Sequence, residues 1–116
     1  MFPSHVHEQG VIAFQLMAAL EQYELDLGRL RRSCSDMEIY TELAAQFDRM
    51  QLYASSLPQV LVHWVQLLIS RYELTNRLRV AASRNQLRHS VAQTFEQHQR
   101  DAAALRQKCA GLVPRH

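Results

Sequence analysis

Apolar residues recur at helical spacing along four stretches of the chain, separated by short clusters of turn-forming residues. The first stripe runs Ile12, Ala13, Leu16, Leu20, Tyr23, Leu27 and Leu30. A second, weaker line of Val11, Phe14, Ala18 and Leu25 lies on roughly the opposite side of the same helix. That line reads either as the far edge of a wide core face or as a seam for a second subunit, interrupted by Glu21. Ser4 is a candidate N-cap, with Phe2-Pro3 loose before it. Ser33-Cys34-Ser35-Asp36 makes the first turn, and Ser35 with Glu38 fits a capping box for the second helix. That helix places Ile39, Tyr40, Leu43, Ala44, Phe47, Met50 and Ala54 on one face, with Glu38, Glu42, Gln46 and Arg49 on the other. Ser55-Ser56-Leu57-Pro58 ends it, Pro58 standing near the first helical position of the next.

From Pro58 to Gly111 no further proline or glycine occurs, so continuity of helix is the open question. Val60, Leu61, Trp64, Val65, Leu67, Leu68, Ile69, Tyr72 and Leu78 fill a wide apolar arc, opposed by a polar strip of Gln59, His63, Gln66, Ser70, Glu73 and Arg77. From Leu87 a second stripe begins: Val91, Phe95, His98, Ala102, Leu105 and Cys109 follow at spacings of four and three. On one continuous helix the two stripes would be rotated by roughly 150°, burying opposite sides at the two ends. Ser83 and Gln86 fit a capping box where the phase changes, so a turn is expected near Ala82–Arg84. The expected helices are 4–32, 36–55, 58–82 and 84–110. Residues 1–116 then form one all-α, antiparallel up-down four-helix bundle. The alternative is a dimer in which helices three and four fuse into one long swapped helix.

Length and a hydrophobic fraction of 47% suit one modest core. Two cysteines, Cys34 and Cys109, form no metal-ligand spacing and read as free thiols. Gln59, His63 and Gln66 interrupt the most apolar segment, so no membrane span is expected. With no basic n-region before an apolar run, a cytoplasmic protein is expected. Leu112–Arg115 matches a protease-cleavage tag and carries no functional weight. Twelve arginines against one lysine point to a GC-rich coding genome.

Charge is divided unevenly. Residues 1–57 hold four arginines and eight carboxylates, −4, whereas residues 58–116 hold nine basic residues and three carboxylates, +6. In an up-down bundle the ends of helices one and three and the start of helix four share a pole. That pole collects Arg31, Arg32, Arg77, Arg79, Arg84 and Arg88, a candidate site for an anionic partner. Helix dipoles favour several of them with no partner, but not Arg84 and Arg88 at a helix start.

Catalytic patterns are lacking. No Glu-x-x-His pairs exist for a carboxylate-bridged metal, no glycine-rich phosphate loop, and no Ser–His–acid set can be assembled. No metal, cofactor or enzymatic activity is expected. His63 reads as a surface residue, and His98, inside an apolar stripe, as a core or interface histidine with one hydrogen bond. The leading expectation is a small adaptor or regulatory module that binds another protein or itself, as a homodimer. Val11, Phe14, Ala18, Leu25, Trp64 and Leu68 are its apolar contact candidates. The alternative is a nucleic-acid-binding regulator using the arginine pole, weakened by the absence of interleaved aromatics.

Overall fold

A computed structural model describes the backbone of residues 3–33, 37–84 and 88–113, and the side chains of residues 8–33, 37–80 and 91–113. Four α-helices follow in order: α1 (Pro3–Arg32), α2 (Met37–Ser55), α3 (Leu61–Arg84) and α4 (Arg88–Ala110). A single 3-10 turn, Pro58–Val60, leads into α3. Asp26 meets Gln46 while Arg29 meets Glu42, so α1 and α2 run antiparallel. Tyr23 meets His98 and Arg31 meets Glu96, so α4 also runs against α1. The result is an up-down-up-down bundle, 58 × 24 × 22 Å.

Its four sides are unequal. α4 packs along both α1 and α3, and α1 packs along α2, whereas α2 and α3 approach each other little. Large side chains span that looser side. The Phe47 and Trp64 rings stack at 4.8 Å and 28°, and the Arg71 guanidinium sits 4.2 Å above the Phe47 ring. Aromatic stacking and cation–π attraction thus hold α2 to α3 where backbones are too far apart for small residues to interlock.

The stripes of α1, α2 and α4 point inward as the periodicity implies: Leu16, Leu20 and Leu27, Phe47 and Met50, Phe95, Ala102 and Leu105 are all buried. Between α2 and α3 the chain turns by 118°, and backbone bonds hold the turn. The Leu57 amide donates to the Ala54 carbonyl and the Val60 amide to the Leu57 carbonyl. Leu57 itself is fully buried and plugs that end of the core, while Pro58 occupies a position that needs no donor.

Three expectations are corrected. α1 already includes Pro3, so Ser4 lies inside its first turn and does not cap it. α3 continues through Ser83 to Arg84, and α4 starts at Arg88, so Ser83 cannot cap α4. The two helices are separate and pack side by side, without the fused rod. Ser35, Cys34, Gln86 and Leu87 lie outside the described residues.

The third correction concerns the setting of α3. Its wide apolar arc was read as one side of the helix, with Trp64 and Leu68 offered to a partner and Ser70 and His63 in the polar strip opposite. Instead Val60, Trp64, Leu67 and Leu74 are buried together with Ser70, and His63 is half-buried. Leu61, Val65, Leu68, Ile69 and Tyr72 face outward. A bundle helix has only two near neighbours, so an arc this wide cannot be covered from one side. Stacking of Trp64 on Phe47 and a partner for Ser70 decide which part goes inside.

This packing sets the expected response to truncation. Phe47→Ala removes the ring that Tyr23, Trp64 and Arg71 all contact, and should destabilise the fold by about 3–5 kcal/mol. Leu52→Ala, on the exposed side of the same helix, should change stability by no more than about 0.5 kcal/mol. Urea denaturation followed by far-ultraviolet circular dichroism compares the two; equal losses would contradict the packing described.

Candidate interaction surface

The outward side of α3 is the largest uncovered apolar feature among the described residues. Leu61, Val62, Val65, Leu68, Ile69 and Tyr72 are between 37% and 74% exposed. Leu61, Val65, Leu68 and Tyr72 follow at spacings of four, three and four, the interval at which one helix face meets another helix. The buried residues Val60, Trp64, Leu67 and Leu74, with half-buried Arg71 and Leu78, keep the same rhythm one residue earlier. α3 therefore carries two seams about 100° apart, one turned to its own bundle and one to solvent.

The six apolar contact candidates divide. Val11, Phe14, Ala18 and Leu25 are exposed on the outer side of α1, and Leu68 is exposed on α3. Trp64 is only 5% exposed and stacked on Phe47, so it is a core residue with no free face to offer. The α1 line has Glu21 in its middle and is narrower than the α3 face. Leu61, Val62, Val65, Ile69 and Tyr72 complete the α3 face; the apolar arc read from the sequence contained all of them but Val62, without separating its exposed part from its buried part.

The basic pole is partly neutralised by the bundle itself. Arg31 bridges to Glu96 at 3.2 Å, and Arg29 to Asp26 at 3.0 Å and Glu42 at 3.5 Å. The Arg79 guanidinium donates to Asn76 Oδ1 at 2.8 Å within its own helix. Arg32 and Arg77 are exposed. Arg84 and Arg88 end α3 and begin α4, and their side chains lie outside the described residues. Such exposed pairs contribute little stability, but they reduce the field available to a phosphate.

Beneath the surface three helices meet at His98, which is fully buried. Its Nε2 lies 2.7 Å from the Tyr23 hydroxyl on α1, and its Nδ1 lies 2.7 Å from the Ser70 hydroxyl on α3. Ser70 in turn donates to the Leu67 carbonyl at 3.2 Å. Counting protons orders the chain. The Ser70 proton is committed to Leu67, so His98 Nδ1–H donates to Ser70 Oγ, and the Tyr23 O–H donates to Nε2. A second polar cluster ties α1 to α2. The Asp26 carboxylate accepts from Gln46 at 2.6 Å, Arg29 at 3.0 Å and Gln22 at 3.2 Å. Arg106 adds a bidentate contact to Glu24 between α4 and α1.

The surroundings tune these groups. Burial, reinforced by nearby Arg71, lowers His98 to a pKa of about 4, so the ring is neutral at pH 7. Burial raises the Tyr23 hydroxyl far above its ordinary range, only slightly opposed by Arg71. For Asp26 burial disfavours the charge, but hydrogen bonds from Gln46, Gln22 and Arg29 prevail and its pKa is lowered. Burial pushes the Cys109 thiol up to about 11, which removes it as a nucleophile at neutral pH.

A serine hydroxyl at hydrogen-bond distance from an imidazole is the core of a nucleophile–base pair. Here it cannot work as one. Ser70 is 4% exposed and His98 0%, no carboxylate orients the ring, and Ser70 points its proton at its own backbone. The cluster is a structural clasp. His63 Nδ1 is shielded and has no hydrogen-bond partner among the described residues, and no group of three His, Cys, Asp or Glu side chains there could hold a metal. Compared with known proteins, the chain matches no family model, no curated protein and no solved structure.

His98 predicts a specific acid sensitivity. Its folded pKa lies below the unfolded value of 6.5, so its contribution to stability is complete above pH 6.5 and declines as pH falls toward about 4. Over that window about 3 kcal/mol should be lost. His98→Gln should begin about 1–3 kcal/mol less stable at pH 7.5, yet show a much shallower decline between pH 6.5 and 4. Urea titrations at stepped pH make the comparison, and parallel slopes would assign the titration to another group.

Proposed function

We propose that this protein is a non-enzymatic helical interaction module, an adaptor or regulator, whose docking surface is the outer side of α3. The observation that carries the reading is the uncovered seam Leu61–Val65–Leu68–Tyr72, at helix-pairing intervals, on a helix whose other side is already packed. The six exposed side chains present on the order of 600 Å², at the upper end of what an ordinary monomer leaves in its largest apolar patch. None of the six outward positions is charged, and Arg71 lies over the Phe47 ring toward the bundle, so a partner helix could cover the seam without desolvating an ion. Rigid support comes from below: Trp64 and Ser70, pinned to Phe47 and His98, hold α3 in one rotational setting. A preformed apolar face on a rigid helix binds by the helix-against-helix mode.

Site-specific photo-crosslinking tests this. A benzoylphenylalanine in place of Ile69, in the full chain expressed in its native cell, should give a discrete protein adduct, from this chain or another. The adduct should disappear when Leu68→Glu is added, while circular dichroism stays unchanged. The same probe in place of Leu52 should give none. Lack of any protein adduct at Ile69 would defeat the reading, and a nuclease-sensitive adduct would replace it with nucleic-acid binding through the neighbouring arginines.

A further inference from the structure

Resting on that reading, we propose that the occupant of the α3 face is a second copy of this chain. The two α3 helices pair antiparallel about a two-fold axis between Gln66 and Leu67, setting Leu61 opposite the partner's Tyr72 and Val65 opposite the partner's Leu68.

Register follows from the residues. In an antiparallel pair each seam position of one spacing class faces the other class across the interface. The stated alignment matches every exposed seam residue with an apolar one: Leu61 with the partner's Tyr72, Val65 with the partner's Leu68, and the two reciprocal layers. On the flank, Val62 comes beside the partner's Ile69. All six outward apolar side chains of α3 are used, and none faces a charge. Sliding by one heptad in one direction sets Leu61 against the partner's Arg79 and Val65 against the partner's Thr75. Sliding the other way sets Leu68 against the partner's Pro58 and Tyr72 against the partner's Ala54, beyond the start of α3. A parallel pair would place Arg79 beside the partner's Arg79 and align two helix dipoles, both unfavourable. Both arrangements satisfy a two-fold axis; the antiparallel one alone avoids the Arg79 and dipole repulsion.

Area supports the same occupant. With on the order of 600 Å² exposed on each copy, the α3 faces approach the roughly 800 Å² per partner of a standard interface. The outer line of α1 is a poorer match for a second copy. Its seam carries Glu21, which would be buried without a counter-charge opposite the purely apolar stretch of α3.

Cysteine pairs read the geometry directly. In a Cys34→Ser background, chains carrying Leu61→Cys and, with a different tag, Tyr72→Cys are mixed and oxidised. The expected product is the mixed disulfide dimer, with neither variant crosslinking to itself, because like positions sit well apart along an antiparallel pair. Sedimentation of the wild-type chain should show a dimer that Leu68→Glu converts to monomer, with the thermal transition of the diluted protein unchanged. Self-crosslinking of each variant would mean parallel pairing and overturn the register. A wild-type monomer at all concentrations would overturn the second copy. If Ile69 still captures a different protein by photo-crosslinking, the interaction module stands and only its partner changes.

Discussion

The buried imidazole of His98 is the constraint on which the rest of the architecture depends. A neutral ring in a dry core must have both nitrogens paired, and it finds one hydroxyl on α1 and another on α3. The demand for Ser70 turns α3 about its axis. Once Ser70 faces inward, Leu67 and Leu74 go with it, and Leu68, Ile69 and Tyr72 must go out. An internal hydrogen bond thus determines which apolar residues are offered to the surroundings. The exposed apolar face of α3 is, in this sense, the other side of a core requirement.

The looser α2–α3 side has a complementary role. Phe47, Trp64 and Arg71 fill it with wide, flat groups where the backbones stand apart. The Phe47–Trp64 stack adds a geometric preference beyond the area it buries, about 0.5–1.5 kcal/mol for such a pair. Together with His98 they define α3 from two directions. A surface built on such a helix is preorganised, which spares a partner the entropy of ordering it.

Charge is used mainly within the molecule. The acidic first half meets the basic second half at Glu24–Arg106, and Arg31–Glu96 adds a pair of the reverse sense, so α4 is drawn to α1 by opposite charge as well as by its apolar stripe. Among the described residues, Asp26, nearly buried, is the one carboxylate whose environment resembles that of a functional acid. Its three hydrogen bonds and depressed pKa identify it as a cross-helix latch, since nothing around it is open to a substrate. Sequence spacing held no sign of this, because Gln46 stands twenty residues away and on a different helix.

Four helices, their order, their approximate ends and the inward stripes of α1, α2 and α4 were legible in the amino-acid pattern alone. Each of those stripes is narrow, so periodicity leaves it a single way to face a core. The outer line of α1 was legible for the same reason. What the pattern could not decide was α3. Its apolar arc extends too far round the helix for hydrophobicity to choose a side, and the choice rests on His98 and Phe47, contributed by other helices. Trp64 was accordingly taken for a contact residue and is core, while Ser70 was placed in the outer polar strip and is buried. Periodicity measures how apolar a face is; only packing against particular neighbours establishes which part of that face is covered.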